Sequence, residues 1–199
     1  WWDRALVTTY MATFGVIISC LIGFTVGTLS FQNKHTTSFM LGVCDIFQTF
    51  PSFVYLIPVM MLFGVTDTSV LIAVIVYATI PATRYTIEGL RSVPTALHDA
   101  ASMSGVTKLQ RLFKIEFPLA FPHMMLGLNQ TIVFALFMVI IGAFIGTEDL
   151  GQYILKALSD KKGAGIGLTL GLCVAFIGLI FDNLIRTWVD QRKKHLGID

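Results

Sequence analysis

Few side chains in this sequence are equipped for chemistry, and they stand isolated in a strongly apolar chain. Asp45, Arg84 and Asp182 fall within or near the ends of long hydrophobic runs, and Asn129, Gln130 and Thr131 form a polar triplet inside another. A charge at the centre of a membrane span costs about 2.5–3.5 kcal/mol on insertion scales, so each such residue calls for an explanation. Two readings are open. The residues line a path for a solute, or they satisfy one another as ion pairs and hydrogen bonds between helices. Membrane-embedded catalysis would need several acids, bases or nucleophiles together, and Asp45 stands alone in its segment. His35, His98, His123 and His195 show no metal-ligand spacing. Cys20, Cys44 and Cys173 lie far apart inside apolar runs and read as small buried hydrophobes, not as a disulfide framework. No G-x-x-x-x-G-K-[ST] loop is present, so ATP and magnesium are not expected to bind here and no cofactor is expected on this chain.

A second group of candidates is concentrated in DAASMSGVTKLQRLFKIEFP, from Asp99 to Pro118. Good helix formers run from Thr95 to Met103. Gly105 suits the positive φ that ends a helix. Thr107 can cap a second helix, KLQRLFKIEF, expected to stop before Pro118. Leu109, Leu112, Phe113 and Glu116 share one face of that second helix, with Lys108, Arg111 and Lys114 around the rest. Two short helices hinged at a glycine would make either an amphipathic loop on anionic lipid or a docking element for a partner.

The elements that position these residues follow from composition. The chain has 199 residues, of which 55% are hydrophobic and 13% charged, with a mean hydropathy of +0.76. Soluble domains carry about 25% charged residues, so the class is an all-α integral membrane protein in contact with lipid. A net charge of +2 gives no reason to expect nucleic acid. Helical spans need about 20 apolar residues, and five segments qualify: 5–29, 39–65, 70–87, 123–145 and 166–185. The second is long and contains Pro51 and Pro58, so it should tilt or kink. A loop over 88–121 and another over 147–163 join the later spans, and the whole chain forms one transmembrane domain. With the C-terminus inside, ten lysines and arginines lie on that side and four on the other, which places the N-terminus outside. The opening WWDR has no basic segment or cleavage site, so no signal peptide is expected.

Gly23/Gly27, Gly142/Gly146, Gly163/Gly167 and Gly167/Gly171 repeat at four residues and suit close helix contact, within one subunit or between two. The triplet Asn129–Thr131 sits beneath a Phe-rich half with Phe134, Phe137 and Phe144, and would either wet a cavity or bond between helices. Phe53 and Tyr55 read as packing residues, with no compact aromatic cage legible. The segment from Glu148 to Lys162 patterns as an amphipathic helix through Leu150, Tyr153, Ile154, Ala157 and Leu158. It would be a solvated linker or a docking surface bearing Glu148, Asp149, Lys156, Asp160, Lys161 and Lys162.

The spacing Asp99-Ala100-Ala101, three residues, Gly105, nine residues, Ile115, one residue, Phe117-Pro118 resembles the EAA loop of ABC importer permeases. That pattern reads Glu-Ala-Ala, three residues, Gly, nine residues, Ile-x-Leu-Pro, so Asp99 and Phe117 depart from it conservatively. The resemblance covers essentially the whole chain and implies a five-span, MetI-like type I importer core. It implies that Asp99, Ala100, Ala101, Gly105, Leu109, Ile115 and Pro118 belong to a coupling helix seated on a separate ATP-binding cassette ATPase. It further implies an external substrate-binding protein, a homodimer of permease subunits, and a multi-pass place in the bacterial inner membrane. QTFPSFVYLIPVMMLFG (Gln48–Gly64), LNQTIVFALFMVIIGAFIG (Leu128–Gly146) and EDLGQYIL (Glu148–Leu155) resemble the glycine betaine/proline betaine branch. Its solutes include choline, carnitine and trimethylamine N-oxide. In this fold class Asp45, Asn129, Gln130 and Thr131 become candidates for the translocation path. A permease for another small solute such as an amino acid, a self-sufficient secondary carrier and a membrane enzyme are the competing classes. The missing internal repeat counts against the carrier.

Overall fold

Among the described residues four helices are long and apolar enough to cross a membrane, and a fifth crossing exists if one bent pair counts as a single span. The computed structural model describes residues 2–143, 150–159 and 164–196, and every regular element among them is helical. The elements are α1 (Trp2–Phe31), α2 (Lys34–Thr49), α3 (Phe53–Phe63), α4 (Asp67–Arg91), α5 (Thr95–Met103), α6 (Lys108–Arg111), α7 (Phe117–Gly142), α8 (Leu150–Ser159) and α9 (Ala164–Leu196).

The core lies where α1, α4 and α7 pack together, around Met11, Val74, Ala78, Met138 and Val139. Apolar side chains gain little by leaving lipid for protein, so close backbone approach has to hold these helices together. Gly23 shows how close. A Cβ there would lie 2.4 Å from Ala82 Cβ and 2.9 Å from the Thr83 backbone nitrogen. Gly27 meets Thr86 in the same way, and Gly142 meets Val70. These glycines therefore pack α1 and α7 on α4 within one chain. Ser19 adds a polar tie, its hydroxyl donating to the Ile75 carbonyl at 3.0 Å. Because backbone atoms cannot yield as a side chain can, Gly23→Ala should destabilise the fold by about 1–3 kcal/mol. A thermal-unfolding comparison in detergent checks this, with Gly165→Ala, where the added Cβ meets open space, as the control.

Where the sequence suggests one long second span, the structure has two helices meeting at 89°. Phe50 precedes proline and is pushed out of the helical region, to φ −71° and ψ 135°, which ends α2. Tyr55 closes the corner, its hydroxyl donating to the Phe47 carbonyl. Leu56, fully buried, fixes α3 to the core.

The expected stop before Pro118 does not occur. From Lys108 to Gly142 the chain runs as one 35-residue helical span. A single π-helical turn at Leu112–Glu116 precedes the proline, and the Phe117 amide donates to the Leu112 carbonyl five residues back. The wider turn accommodates the proline ring, which would crowd the carbonyl four residues back in a regular helix. The 33-residue α9 is the least enclosed element: only 12% of its most apolar window is buried by protein. Leu168, Leu172, Phe176 and Leu179 face outward, as a lipid-facing helix requires.

Candidate functional site

Local chemistry shapes the loop between α4 and α7. Leu90 and Val93 bury the end of α4, and Pro94 opens α5. The amides of Ser104 and Gly105 close the last turn of α5 on the carbonyls of Ala100 and Ser102, and Gly105 adopts φ 69°. Thr107 then caps α6 reciprocally: its hydroxyl accepts from the Gln110 amide at 3.3 Å, while the Gln110 side chain accepts from the Thr107 amide at 3.0 Å.

The motif residues take different places on this loop. Ala101 is buried, whereas Asp99, Ala100 and Gly105 are exposed, and nothing lies within 4 Å of a Cβ added at Gly105. Leu109 projects freely, and Ile115 and Pro118 lie at the foot of α7, Pro118 half-buried. Met103, Leu109 and Phe113 expose large apolar surfaces on the same loop, at 90%, 68% and 64%. Together they leave an apolar face with small residues beside it.

Glu116 is the loop residue the sequence leaves in the wrong setting. Helical spacing puts it on a face with Leu109, Leu112 and Phe113, but the π-helical turn changes the register and buries it. Its Oε1 accepts from Arg111 Nε at 2.9 Å and lies 3.0 Å from His98 Nδ1 on α5. A buried carboxylate thereby fastens α5 to the foot of α7. A cavity of about 670 Å³ lies beside it, lined by Phe31, Gln32, Thr95, His98, Asp99, Lys108, Leu109, Arg111, Leu112 and Glu116. Glu116→Gln keeps the shape and loses the charge, a cost of about 1.5–3 kcal/mol. Amide exchange in α5 should therefore quicken about tenfold or more, which hydrogen–deuterium exchange reads directly.

Deeper in the membrane the polar residues form two separate clusters. Arg84 on α4 bonds Asp45 on α2, with Gln48 Oε1 at 2.9 Å from Nη1 and Glu88 Oε1 at 2.9 Å from Nε. Asp182 on α9 accepts from Asn129 Nδ2 at 2.7 Å and from Arg186 Nε at 2.8 Å. The triplet Asn129–Thr131 does not act as one group. Successive residues on a helix point about 100° apart, so Asn129 meets α9 and Gln130 faces a cavity. Thr131 is fully buried and returns its hydroxyl to the Gly127 carbonyl of its own helix. The cavity at Gln130 measures about 370 Å³ and is lined also by Gln48, Pro81, Arg84, Tyr85, Glu88 and Phe134.

Aromatic side chains continue from this cavity into the core. Phe134 stacks on Tyr77 with centroids 4.8 Å apart, and Tyr77 meets Tyr55 at 5.1 Å. Tyr55 is thus a packing residue at the start of this row, while Phe53 is exposed. Sequence reasoning missed the row because its rings come from α3, α4 and α7. Among the described residues no three His, Cys, Asp or Glu side chains gather as a metal site.

At the opposite end of the bundle α8 lies against α9, with Leu150 and Ala157 buried and Tyr153 and Ile154 packed on the cluster of Leu170 and Val174. The Leu150 amide donates to Thr8 Oγ1 at 3.2 Å, fastening α8 to α1. Lys156 is exposed. Glu148, Asp149, Asp160, Lys161 and Lys162 lie outside the described residues.

Known proteins resemble this chain throughout its length. It is 92% identical over 198 residues to the trimethylamine N-oxide transport system permease protein TmoV of Pelagibacter ubique (strain HTCC1062). It is 46% identical to the protein of the same description from Ruegeria pomeroyi. Both alignments cover the whole of this chain but only 28% and 30% of those proteins, so the chain spans less than a third of their length. The glycine betaine transport system permease protein OpuAB of Bacillus subtilis is 32% identical, over 99% of this chain and 69% of its own. In fold the chain matches the MetNI methionine ABC transporter in an inward-facing conformation, with a TM-score of 0.78 at 20% identity, covering 98% of this chain and 94% of that one. Residues 15–195 match a family described as binding-protein-dependent transport system inner membrane component. Multi-pass helices, a capped loop at one end of the bundle and this match over most of the sequence agree: the chain belongs to that family of inner-membrane transport permeases.

Proposed function

We propose that this chain is the transmembrane unit of an ATP-driven importer for trimethylamine N-oxide or a closely related methylated compatible solute such as glycine betaine. The observation that carries the reading is the loop of α5 and α6. It ends in an exposed apolar face and continues without a break into a membrane-crossing helix. A partner seated on Ala100, Gly105, Leu109 and Phe113 would pull directly on α7. That partner is an ATP-binding cassette ATPase, which holds the ATP and magnesium, and an external binding protein delivers the solute.

The loop and the C-terminus face the cytoplasm, as the ten-to-four distribution of lysine and arginine favours, and the N-terminus faces outside. A second copy of the permease completes the path against α2 and α3, which leave Ile46, Phe50, Ile57 and Met61 uncovered. Substrate identity rests on the relatives, since the chain spans only part of the proteins it most resembles.

The experiment is uptake of labelled trimethylamine N-oxide by vesicles holding the full-length protein, its ATPase and its binding protein. Uptake that requires ATP, and that unlabelled glycine betaine competes for weakly, is the expected result. Uptake driven by an ion gradient without ATP would transfer the chain to the secondary carriers.

A further inference from the structure

The cavity between α2, α4 and α7 has the composition of a solute site, which none of the relatives' descriptions assigns. Arg84 and Glu88 line it and Asp45 pairs with Arg84 beside it, so the space presents both signs of charge, with one carboxylate in excess. Arg84 commits Nε to Glu88 and Nη1 to Asp45 and Gln48, and among the described residues Nη2 has no partner. The Gln130 amide lines the same space and likewise has no side-chain partner among the described residues. Phe134 completes it. One of its faces is held by the stacked Tyr77 ring, which orients the aromatic surface at the cavity wall. Two donors thus stand open to the cavity beside an anchored π-surface, available to an acceptor on a solute.

The geometry points to a low-affinity site for a small solute with no net charge that carries an anionic oxygen and a permanently cationic, methylated nitrogen. The oxygen accepts from Arg84 Nη2 and the Gln130 amide, both charge-assisted on the solute side. The methyl groups, which share the positive charge, rest against the Phe134 ring through cation–π attraction. Glu88 and Asp45 stand beside Arg84, so a free anion is disfavoured against a solute that brings its own positive charge, while a bare cation leaves the two donors unused. A volume of about 370 Å³ is near the lower end of the usual range for ligand pockets and suits a solute of few atoms. The site rests on the functional reading above and deepens it: selection is made twice, first by the binding protein and then within the membrane.

The test is equilibrium binding of labelled trimethylamine N-oxide to the full-length protein with its ATPase in lipid nanodiscs, without the binding protein. We expect saturable binding that weakens at least tenfold in Phe134→Leu and in Gln130→Leu and returns to within about threefold in Phe134→Tyr, which keeps the ring. Loss of binding in Phe134→Tyr equal to that in Phe134→Leu would overturn the site, because the ring would then matter only as packing. Binding by both leucine variants equal to that of the parent would also overturn it. So would a parent that binds nothing while still taking up the solute through its binding protein. A parent that neither binds nor takes up the solute would instead remove the functional reading on which the site rests.

Discussion

Arg84→Asp should all but abolish the folded, assembled protein, and more completely than Asp45→Arg. Arg84 is a node: Asp45 and Gln48 on α2 and Glu88 on its own helix all depend on it. Breaking a fully buried pair costs about 3–5 kcal/mol, and the protein leaves 31% of Arg84 and 59% of Asp45 uncovered, so about 2–3 kcal/mol is expected here. The two single variants differ in what remains. An aspartate at position 84 sets three carboxylates together, with a like-charge contact to Glu88 one turn away. An arginine at position 45 leaves Arg84 its Glu88 partner. Exchanging both charges should restore assembly only in part, since the aspartate introduced at position 84 still faces Glu88. Adding Glu88→Gln to the exchange should complete the recovery. Yield of monodisperse protein after extraction in mild detergent measures each step. No recovery in either combination would mean that the residues contribute separately and not as a network.

A second large effect is expected at Gly105, and it separates backbone shape from surface contact. At φ 69° a β-branched residue is strained by about 1–2 kcal/mol, whereas asparagine tolerates that region. No atom lies within 4 Å of the added Cβ, so within this chain the space itself forbids nothing. Gly105→Asn should therefore leave thermal stability within about 0.5 kcal/mol of the parent, as surface changes commonly do. Gly105→Trp should keep the membrane helices intact, yet block a partner that rests on Ala100 and Leu109. Co-purification of the ATPase from native membranes reads the result: retained with asparagine, lost with tryptophan. Retention with both would argue that the loop lies on lipid and not on a protein.

What was legible in the sequence was what local chemistry decides. The limits of α5, the positive φ of Gly105 and the cap at Thr107 each depend on a few neighbouring residues, and each lies where the residue types require. The break after Phe50 was visible in the proline that follows, though its size was not, because the angle depends on Tyr55 and Leu56 finding places in the core. Pro118 misled for the opposite reason. The rule that a helix ends before proline assumes regular bonding, and one wider turn removes the conflict. That same turn hid Glu116, whose partners could not be read from a pattern of fixed period. At membrane depth the sequence showed which residues needed partners but not which they had. Asp182 takes Asn129 from a helix 53 residues away, and Arg84 takes Asp45 from 39 away.

The unbroken run from Lys108 to Gly142 has a mechanical consequence. At 1.5 Å per residue, 35 residues form a rod about 52 Å long with its handle outside the packed bundle. Tilting that handle by about 10° about its own end would sweep the far end through about 9 Å, comparable to the spacing between packed helices. Stroke is thus gained through geometry alone. A partner seated on the handle would need only a short throw, provided the π-helical turn near the fulcrum transmits torque and does not absorb it as bending.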